Sequence, residues 1–368
     1  MDLDPALLQR LRERAPEYDR ENRFFDEDLA ELREAGYLRP RPLLEAVRDQ
    51  RRLAAFAPAT ALAVNMHLVW TGIARVLDER GDHSLGWVLA DADAGELFAF
   101  GISEAGNDLV LWDSATRVER VAGGYAYTGT KVFTSLAPAW TRLGVFGREE
   151  TEAGPRLVHG FLTRDDPGVE TLDDWDTLGM RATQSRSTRL VGAIIPDERI
   201  ARFLPVGPNA DPFVFAVFAN FLLLIGSVYA GIADRALELA VDAARGRTSR
   251  RTGRSLAEDP DIRWRIADAA LVLDALAPDL ETLAADVDGR VDRGAGWFRA
   301  LVGAKHRATE TARVVVDQAM RVAGGNGYRS SAELSRLQRD VLAGIYHPSD
   351  PESVHQTVAA NLLGALEL

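Results

Sequence analysis

The sequence predicts an α+β protein of three consecutive parts. They are an N-terminal helical domain over residues 1–97, a middle antiparallel β-barrel or sandwich domain over 98–205 and a C-terminal helical bundle over 206–368. Three observations predict it. Apolar residues recur at helical spacing near the N-terminus, as in Leu3, Leu7, Leu8 and Leu11. From Leu97 the composition changes to short alternating or apolar runs separated by Gly, Asp, Asn and Pro turns. From about residue 212 long helical patterns return, with neither a repeat period nor a low-complexity linker between them.

Taken in order, the first part continues with FFDEDLAELREAGYL, stopped by Gly36, and with helices over 45–57 and 61–80. His67 lies in the apolar run VNMHLVWTGIARVL, where a packed core histidine is expected rather than a ligand. The strands are read in LFAFGIS, LVLWDS, TRVERVAGGYAYTGTKVFTS, RLGVFGR, LVHGFLTR and TRLVGAIIP, with GGY as a hairpin turn. The last part is read as helices over 212–245, 261–288, 294–323, 334–346 and 351–366. Pro212–Ile232 carries no charge and approaches membrane-spanning length. Asn220, Gly226, Ser227 and Gly231 interrupt it and an amphipathic run follows, so a buried bundle helix is expected. A helix apolar all round exceeds what one small bundle hides, which predicts a homodimer or a homotetramer.

Bulk composition narrows the function. The chain has 368 residues, a formal net charge of -12, 46% hydrophobic residues and no cysteine. That acidity, without a basic face, argues against nucleic acid as a partner and leaves a small-molecule substrate. The lack of cysteine excludes disulfides, thiolate catalysis and cysteine metal sites, and fits a cytoplasmic protein. The charged N-terminus, MDLDPALLQRLRERAPEYDRENRFF, does not read as a signal peptide, and no membrane association is expected. There is no GxGxxG after a strand, no Walker loop, no HExxH and no GxSxG, and the six histidines are scattered, so no metal site is expected.

The stretch from Gln318 to Glu352 carries the most information. A helix breaks at Gly324-Gly325-Asn326-Gly327-Tyr328, and a second helical run contains Leu337-Gln338-Arg339-Asp340. Three glycines in four residues let a backbone approach a ligand closely, and exposed peptide N–H groups there can hold a phosphate. This order, followed by Ile345-Tyr346, resembles the last domain of the acyl-CoA dehydrogenase family of flavoproteins. Helices, then a β domain, then a helical bundle is also that family's order, so the resemblance covers essentially the whole chain.

The resemblance implies FAD as cofactor, in a cleft between the β domain and the last helical domain. Phe100–Asp108 resembles the family's TEPGAGSD loop, which puts Ser103, Gly106 and Asp108 at the flavin. Gly129–Ser135 is similar to the GxKxWIT strand, with Phe133 in place of the aromatic beside the ring and Ser135 in place of the hydroxyl near N5. Leu178–Thr183 resembles LGMRGT. In RGRTSRRTGR, Arg247, Arg250 and Arg251 are candidates for the arginine that reaches the flavin pyrophosphate of a neighbouring subunit. Arg321 stands where a glutamine usually faces that pyrophosphate, and Gly324 and Gly325 lie beside it.

The departures concern the base. The family's glutamate follows the Ile-Tyr pair, where this chain has His347-Pro348-Ser349-Asp350. Its alternative position falls in Ala219-Asn220-Phe221-Leu222, which has no carboxylate; the Asp and Arg that handle CoA there are Ala219 and Leu222. The expected activity is α,β-dehydrogenation of an acyl thioester, on CoA or a carrier protein, with His347, Asp350 or Glu352 as substitute base. The alternatives are a flavin monooxygenase or oxidase on this fold, and a catalytically silent relative.

Overall fold

The computed structural model describes residues 3–364. Its first part is five helices: α1 (Pro5–Glu21), α2 (Asp26–Glu34), α3 (Leu43–Ala54), α4 (Pro58–Asp78) and α5 (Gly86–Asp93). Asp4 caps α1 by accepting from the Ala6 N–H, with Pro5 in the first turn, where a missing N–H costs nothing. In α4 nearly every side chain is buried. His67 is a core residue, as expected. Its Nε2 donates to Leu38 O at 2.7 Å while Nδ1 accepts from Phe98 N–H, and burial holds its pKa down to about 4.

Eight strands follow: β1 (Phe98–Gly101), β2 (Arg117–Val121), β3 (Gly124–Lys131), β4 (Arg142–Thr151), β5 (Gly154–Thr163), β6 (Val169–Thr171), β7 (Thr188–Pro196) and β8 (Ile200–Pro205). They form one sheet in the order β6-β7-β3-β2-β4-β5-β8, with β1 added beside β4. The expected hairpin joins β2 and β3, with Gly123 at φ 79° in its turn, a conformation glycine adopts without strain. The expectation of a purely antiparallel sheet is corrected, because β4 pairs in parallel with both β1 and β2. One edge of β4 is thus shared. Phe98–Gly101 pair with Arg142–Val145, and Arg117–Val118 with Arg148–Glu149. The intervening segment, 102–116, has no place in the sheet and loops out of it. Gly147 makes the junction feasible, since a Cβ there would lie 2.5 Å from Val118 Cγ2 and 2.9 Å from Thr116 O.

The last part comprises α6 (Pro212–Arg245), α7 (Pro260–Leu273), α8 (Leu276–Asp288), α9 (Gly296–Ala323), α10 (Glu333–Val341) and α11 (Pro351–Leu363). The single helix expected over 261–288 is two. Pro278, in the first turn of α8, has no N–H for the carbonyl of Asp274, so the ladder restarts there. The run expected over 334–346 ends as α-helix at Val341 and tightens into a 3₁₀ turn over Leu342–Ile345. The expected end of the last helix, 365–366, lies outside the described residues.

Two helices, α4 and α6, are long and apolar enough to cross a membrane, but 94% and 89% of their apolar windows are buried inside the protein. Close approach makes this possible. A Cβ on Gly72 would lie 2.0 Å from Asn220 Oδ1, and one on Gly231 2.2 Å from Arg51 O. The argument for oligomerisation from unhidden surface on 212–232 therefore fails, because this chain covers that helix itself. The exposed apolar residues lie elsewhere, notably Trp264 (64%) and Leu271 (73%) on α7, which buries only Ala269 and Leu273.

Candidate functional site

Where segment 102–116 leaves the sheet, it faces α6 and the start of α11 across a cavity of about 570 Å³. An inner chamber of about 330 Å³ adjoins it, and Phe100, Phe133, Trp175, Phe221 and Tyr346 border both. Volumes of this size suit a flat cofactor with a small substrate.

One buried carboxylate holds the loop. Glu104 Oε1 accepts from Lys131 Nζ at 2.6 Å, Thr116 Oγ1 at 2.6 Å, Ser114 Oγ at 2.7 Å and Thr116 N–H at 3.0 Å. Its Oε2 accepts from Ala115 N–H at 2.8 Å and Asn107 Nδ2 at 2.9 Å. Lys131 Nζ also donates to Phe146 O at 2.6 Å and is fully buried. Burial pushes the Glu104 carboxyl up, but Lys131 and the hydroxyl donors outweigh it and hold it at about 2. Burial draws Lys131 down to about 8, and Glu104 opposes that drop.

Beyond Lys131, β3 ends in a bend that presents Phe133 to the cavity. Phe133 has φ 57° and is 58% exposed, and Trp175 meets its ring edge-on at 6.2 Å between centroids. Val132 N–H donates to Ser103 O, which ties this strand end to the loop. Below it runs a chain of hydroxyls: Ser135 Oγ lies 2.7 Å from Ser185 Oγ, which lies 2.8 Å from Thr183 Oγ1. The segment Leu178–Thr183 docks on α10. Asp340 accepts from Met180 N–H at 2.6 Å, Arg339 donates to Leu178 O, and a Cβ on Gly179 would lie 2.3 Å from Arg339 O. Leu178–Thr183 and Leu337–Asp340 therefore form one joint.

Tyr346, His347 and Asp350 reach the cavity from the turn after α10. Lys305 organises that turn from behind, donating to Gly344 O, His347 O and Ser349 O at 3.1, 3.1 and 2.9 Å. His347 borders the inner chamber, but its Nε2 lies 2.9 Å from the hydroxyl of the fully buried Tyr229. Burial, with Lys305 nearby, holds its pKa down to about 3, so it is a weak base. Asp350 borders the outer chamber and caps α11, its Oδ1 accepting from Ser353 N–H at 2.8 Å. Glu352 is exposed and outside the cavity lining.

Of the residues singled out in the sequence, Ser103, Gly106, Asp108, Phe133, Ser135, His347 and Asp350 all border one chamber or the other. Arg247, Arg250, Arg321, Gly324 and Gly325 do not. Arg247, Arg321, Gly324 and Gly325 gather at the end of α9, where Arg247 Nη1 donates to Ala323 O at 2.7 Å and Arg321 pairs with Asp317. Arg250 and Arg251 are exposed. Sequence reasoning missed Glu104, Lys131, Lys305 and Tyr229 as organisers of the site. A lysine at the end of an apolar strand and one inside an amphipathic helix were the available signals.

Comparison with known proteins agrees with this architecture. Residues 223–349 match the family model "Acyl-CoA dehydrogenase, C-terminal domain". The putative acyl-CoA dehydrogenase YdbM of Bacillus subtilis is 27% identical over 96% of this chain and 94% of its own. The crystal structure of nitrososynthase from Micromonospora carbonacea var. africana superposes with a TM-score of 0.86 at 25% identity, covering 98% of this chain and 94% of that one. That of KijD3 in complex with FMN and dTDP-3-amino-2,3,6-trideoxy-4-keto-3-methyl-D-glucose superposes with a TM-score of 0.83 at 27% identity, covering 98% and 92%.

Proposed function

This chain belongs to the acyl-CoA dehydrogenase family of flavin-dependent oxidoreductases, and we propose that within it the protein is a flavin-dependent monooxygenase. One observation carries the proposal. Dehydrogenation of a thioester needs a base matched to neutral pH within hydrogen-bonding reach of the α-proton. Neither position of the family glutamate supplies one here. Asn220 is buried with its Nδ2 on Ala216 O, and His347 is bonded to Tyr229 with a pKa of about 3. Oxygen insertion needs no such base, and the likeness to a nitrososynthase and to KijD3 with FMN supports this branch.

The residues present fit a flavin ring. Phe133 and Trp175 offer apolar faces, the Ser135–Ser185–Thr183 hydroxyls offer hydrogen bonds beside them, and Ser103 lies on a loop fixed by Glu104. When bound, a reduced flavin supplies two electrons to O2, so that one oxygen atom enters the substrate and the other leaves as water. The chain's own part is to hold the ring, to shield it from bulk water and to seat the substrate in the outer chamber. The proposed form is FAD. Among the described residues the chambers offer one cation, Arg339, and it is paired with Asp19, so the pyrophosphate would meet Arg247, Arg250 or Arg321 of a second copy. A homodimer, or a homotetramer built from it, follows from that requirement.

The dehydrogenase reading keeps one observation in its favour, the match to a putative acyl-CoA dehydrogenase along nearly the whole chain. Its base would be Asp350. Two measurements separate the readings. Anaerobic addition of acyl-CoA thioesters should leave bound flavin unbleached. Supplied reduced flavin should give substrate-dependent O2 uptake with little peroxide. Rapid bleaching by a thioester, lost in Asp350→Asn, would reverse the assignment.

A further inference from the structure

The inner chamber is bordered by a chain of hydroxyls whose protons can be counted. Ser135 Oγ lies 2.7 Å from Ser185 Oγ, Ser185 Oγ 2.8 Å from Thr183 Oγ1, and Thr183 Oγ1 2.9 Å from Met180 O. All three residues are buried and line the chamber. An oxygen–oxygen contact of this length needs one proton between its atoms. There are three contacts and three hydroxyl protons, and the last oxygen is a carbonyl, which has none to give. The direction is therefore fixed. Thr183 donates to Met180 O, Ser185 to Thr183 and Ser135 to Ser185. Ser135 has spent its proton, so it shows the chamber only lone pairs.

The backbone is strained where it holds this register. Phe133, Leu136, Met180 and Gln184 flank the three hydroxyls, and all have positive φ (57°, 66°, 53° and 43°) without being glycine. Non-glycine residues keep that conformation only where their surroundings impose it, and they gather at functional sites. Here two segments are laced together. Thr134 N–H donates to Arg186 O, Leu136 N–H to Thr183 O and Ala137 N–H to Gln184 O. The foot of the chain is anchored too, since Met180 N–H donates to the buried Asp340.

We propose that Thr183 and Ser185 are positioning residues that fix Ser135 as an acceptor toward the flavin ring, so that the chamber holds reduced flavin more tightly than oxidised flavin. On two-electron reduction the ring nitrogen N5 gains a hydrogen and turns from acceptor to donor, while N3–H donates in both states. A wall that can only accept suits N5–H and sets lone pair against lone pair at bare N5. To meet the oxidised ring, Ser135 must turn its proton round and give up its bond to Ser185, a loss of about tenfold in affinity. The inference rests on the flavin reading of the chamber and on neither choice of reaction.

The test is the midpoint potential of bound FAD, read anaerobically by equilibration with a reference dye and compared with free FAD. The difference reports the ratio of affinities for the two redox states, about 30 mV for each tenfold in a two-electron couple. The wild-type midpoint should lie above that of free FAD by about 30 mV. Ser185→Ala frees Ser135 to turn and should remove most of that rise. Thr183→Val leaves Ser185 no acceptor but Ser135, which reverses the chain and turns the Ser135 proton to the chamber. It should lower the midpoint further, with oxidised FAD gaining affinity as reduced FAD loses it. A purely structural part for either residue would weaken both redox states alike and leave the midpoint in place. Tight FAD binding with a wild-type midpoint at or below that of free FAD, or a midpoint unmoved in the folded variants, overturns the proposal and leaves the flavin reading standing. Failure of the wild type to take up FAD or FMN would overturn both.

Discussion

Replacing Glu104 by glutamine should cost about 3–5 kcal/mol, the scale for stranding one partner of a buried ion pair. The structure gives a second route to that figure. The Glu104 side chain is 2% exposed and its carboxyl falls from 4.5 to about 2, worth about 3–4 kcal/mol at about 1.4 kcal/mol for each pH unit. Glutamine keeps the size but loses the charge, and its amide N–H₂ faces hydroxyl and peptide donors where only an acceptor fits. Lys131, already drawn down to about 8, would lose its proton near neutral pH. The sign with pH is fixed by the depressed carboxyl. Its stabilisation is complete above about 4.5 and is lost as pH falls through about 2, because the unfolded chain then binds a proton that the folded one refuses. Guanidinium unfolding followed by tryptophan fluorescence reads the stability. The pairing is isolated by a double-mutant cycle with Lys131→Met, in which the double variant should lose less than the two single losses combined by about 2 kcal/mol or more. Flavin affinity should fall with Glu104→Gln by about tenfold, since the 102–108 loop loses its anchor. A loss under about 1 kcal/mol, or strictly additive single effects, would refute the reasoning.

Gly72→Ala should destabilise by about 1–3 kcal/mol, because its Cβ would sit 2.0 Å from Asn220 Oδ1, and Asn220→Ala in the same chain should recover part of the loss on thermal unfolding. His347→Ala should change flavin content and O2-dependent turnover by less than about threefold. A drop near 10²-fold, the scale of general-base loss, would restore His347 as a base. Trp264→Glu, on the exposed face of α7, should shift the oligomer toward monomer by light scattering and lower flavin retention with it; a flavin-loaded wild-type monomer would contradict the proposed shared site.

How far these features were legible depended on how local their causes are. The span of α6 was read correctly because Pro212 and the apolar run that follows announce it in one window. The cavity's aromatic and hydroxyl edge was legible because Phe133, Ser135 and the 103–108 loop sit in short motifs. The parallel pairing of β4 was not, since two strands from different places in the chain meet on one edge and no local alternation records that. Lys131 and Glu104 lie 27 residues apart, so neither announced the other. The divided helix at 274–275 was written in Pro278 and overridden by strong flanking periodicity. The oligomer argument from α6 failed because apolarity in sequence does not say which chain does the covering.

The shared edge of β4 has an evolutionary consequence. Both ends of segment 102–116 are clamped to the same strand, three residues apart at Val145 and Arg148. Its length can therefore change without moving the register of any other strand. Its first residues stay fixed, Ser103 and Glu104 at the buried lysine and Asn107 through its bond to Glu104, while the exposed Asp108–Leu109 stretch is free to lengthen, shorten or exchange side chains. The scaffold thus separates a fixed clamp from an editable cassette. A lineage could retarget the chamber by small insertions there and keep the sheet, the core and the ring-binding edge unaltered.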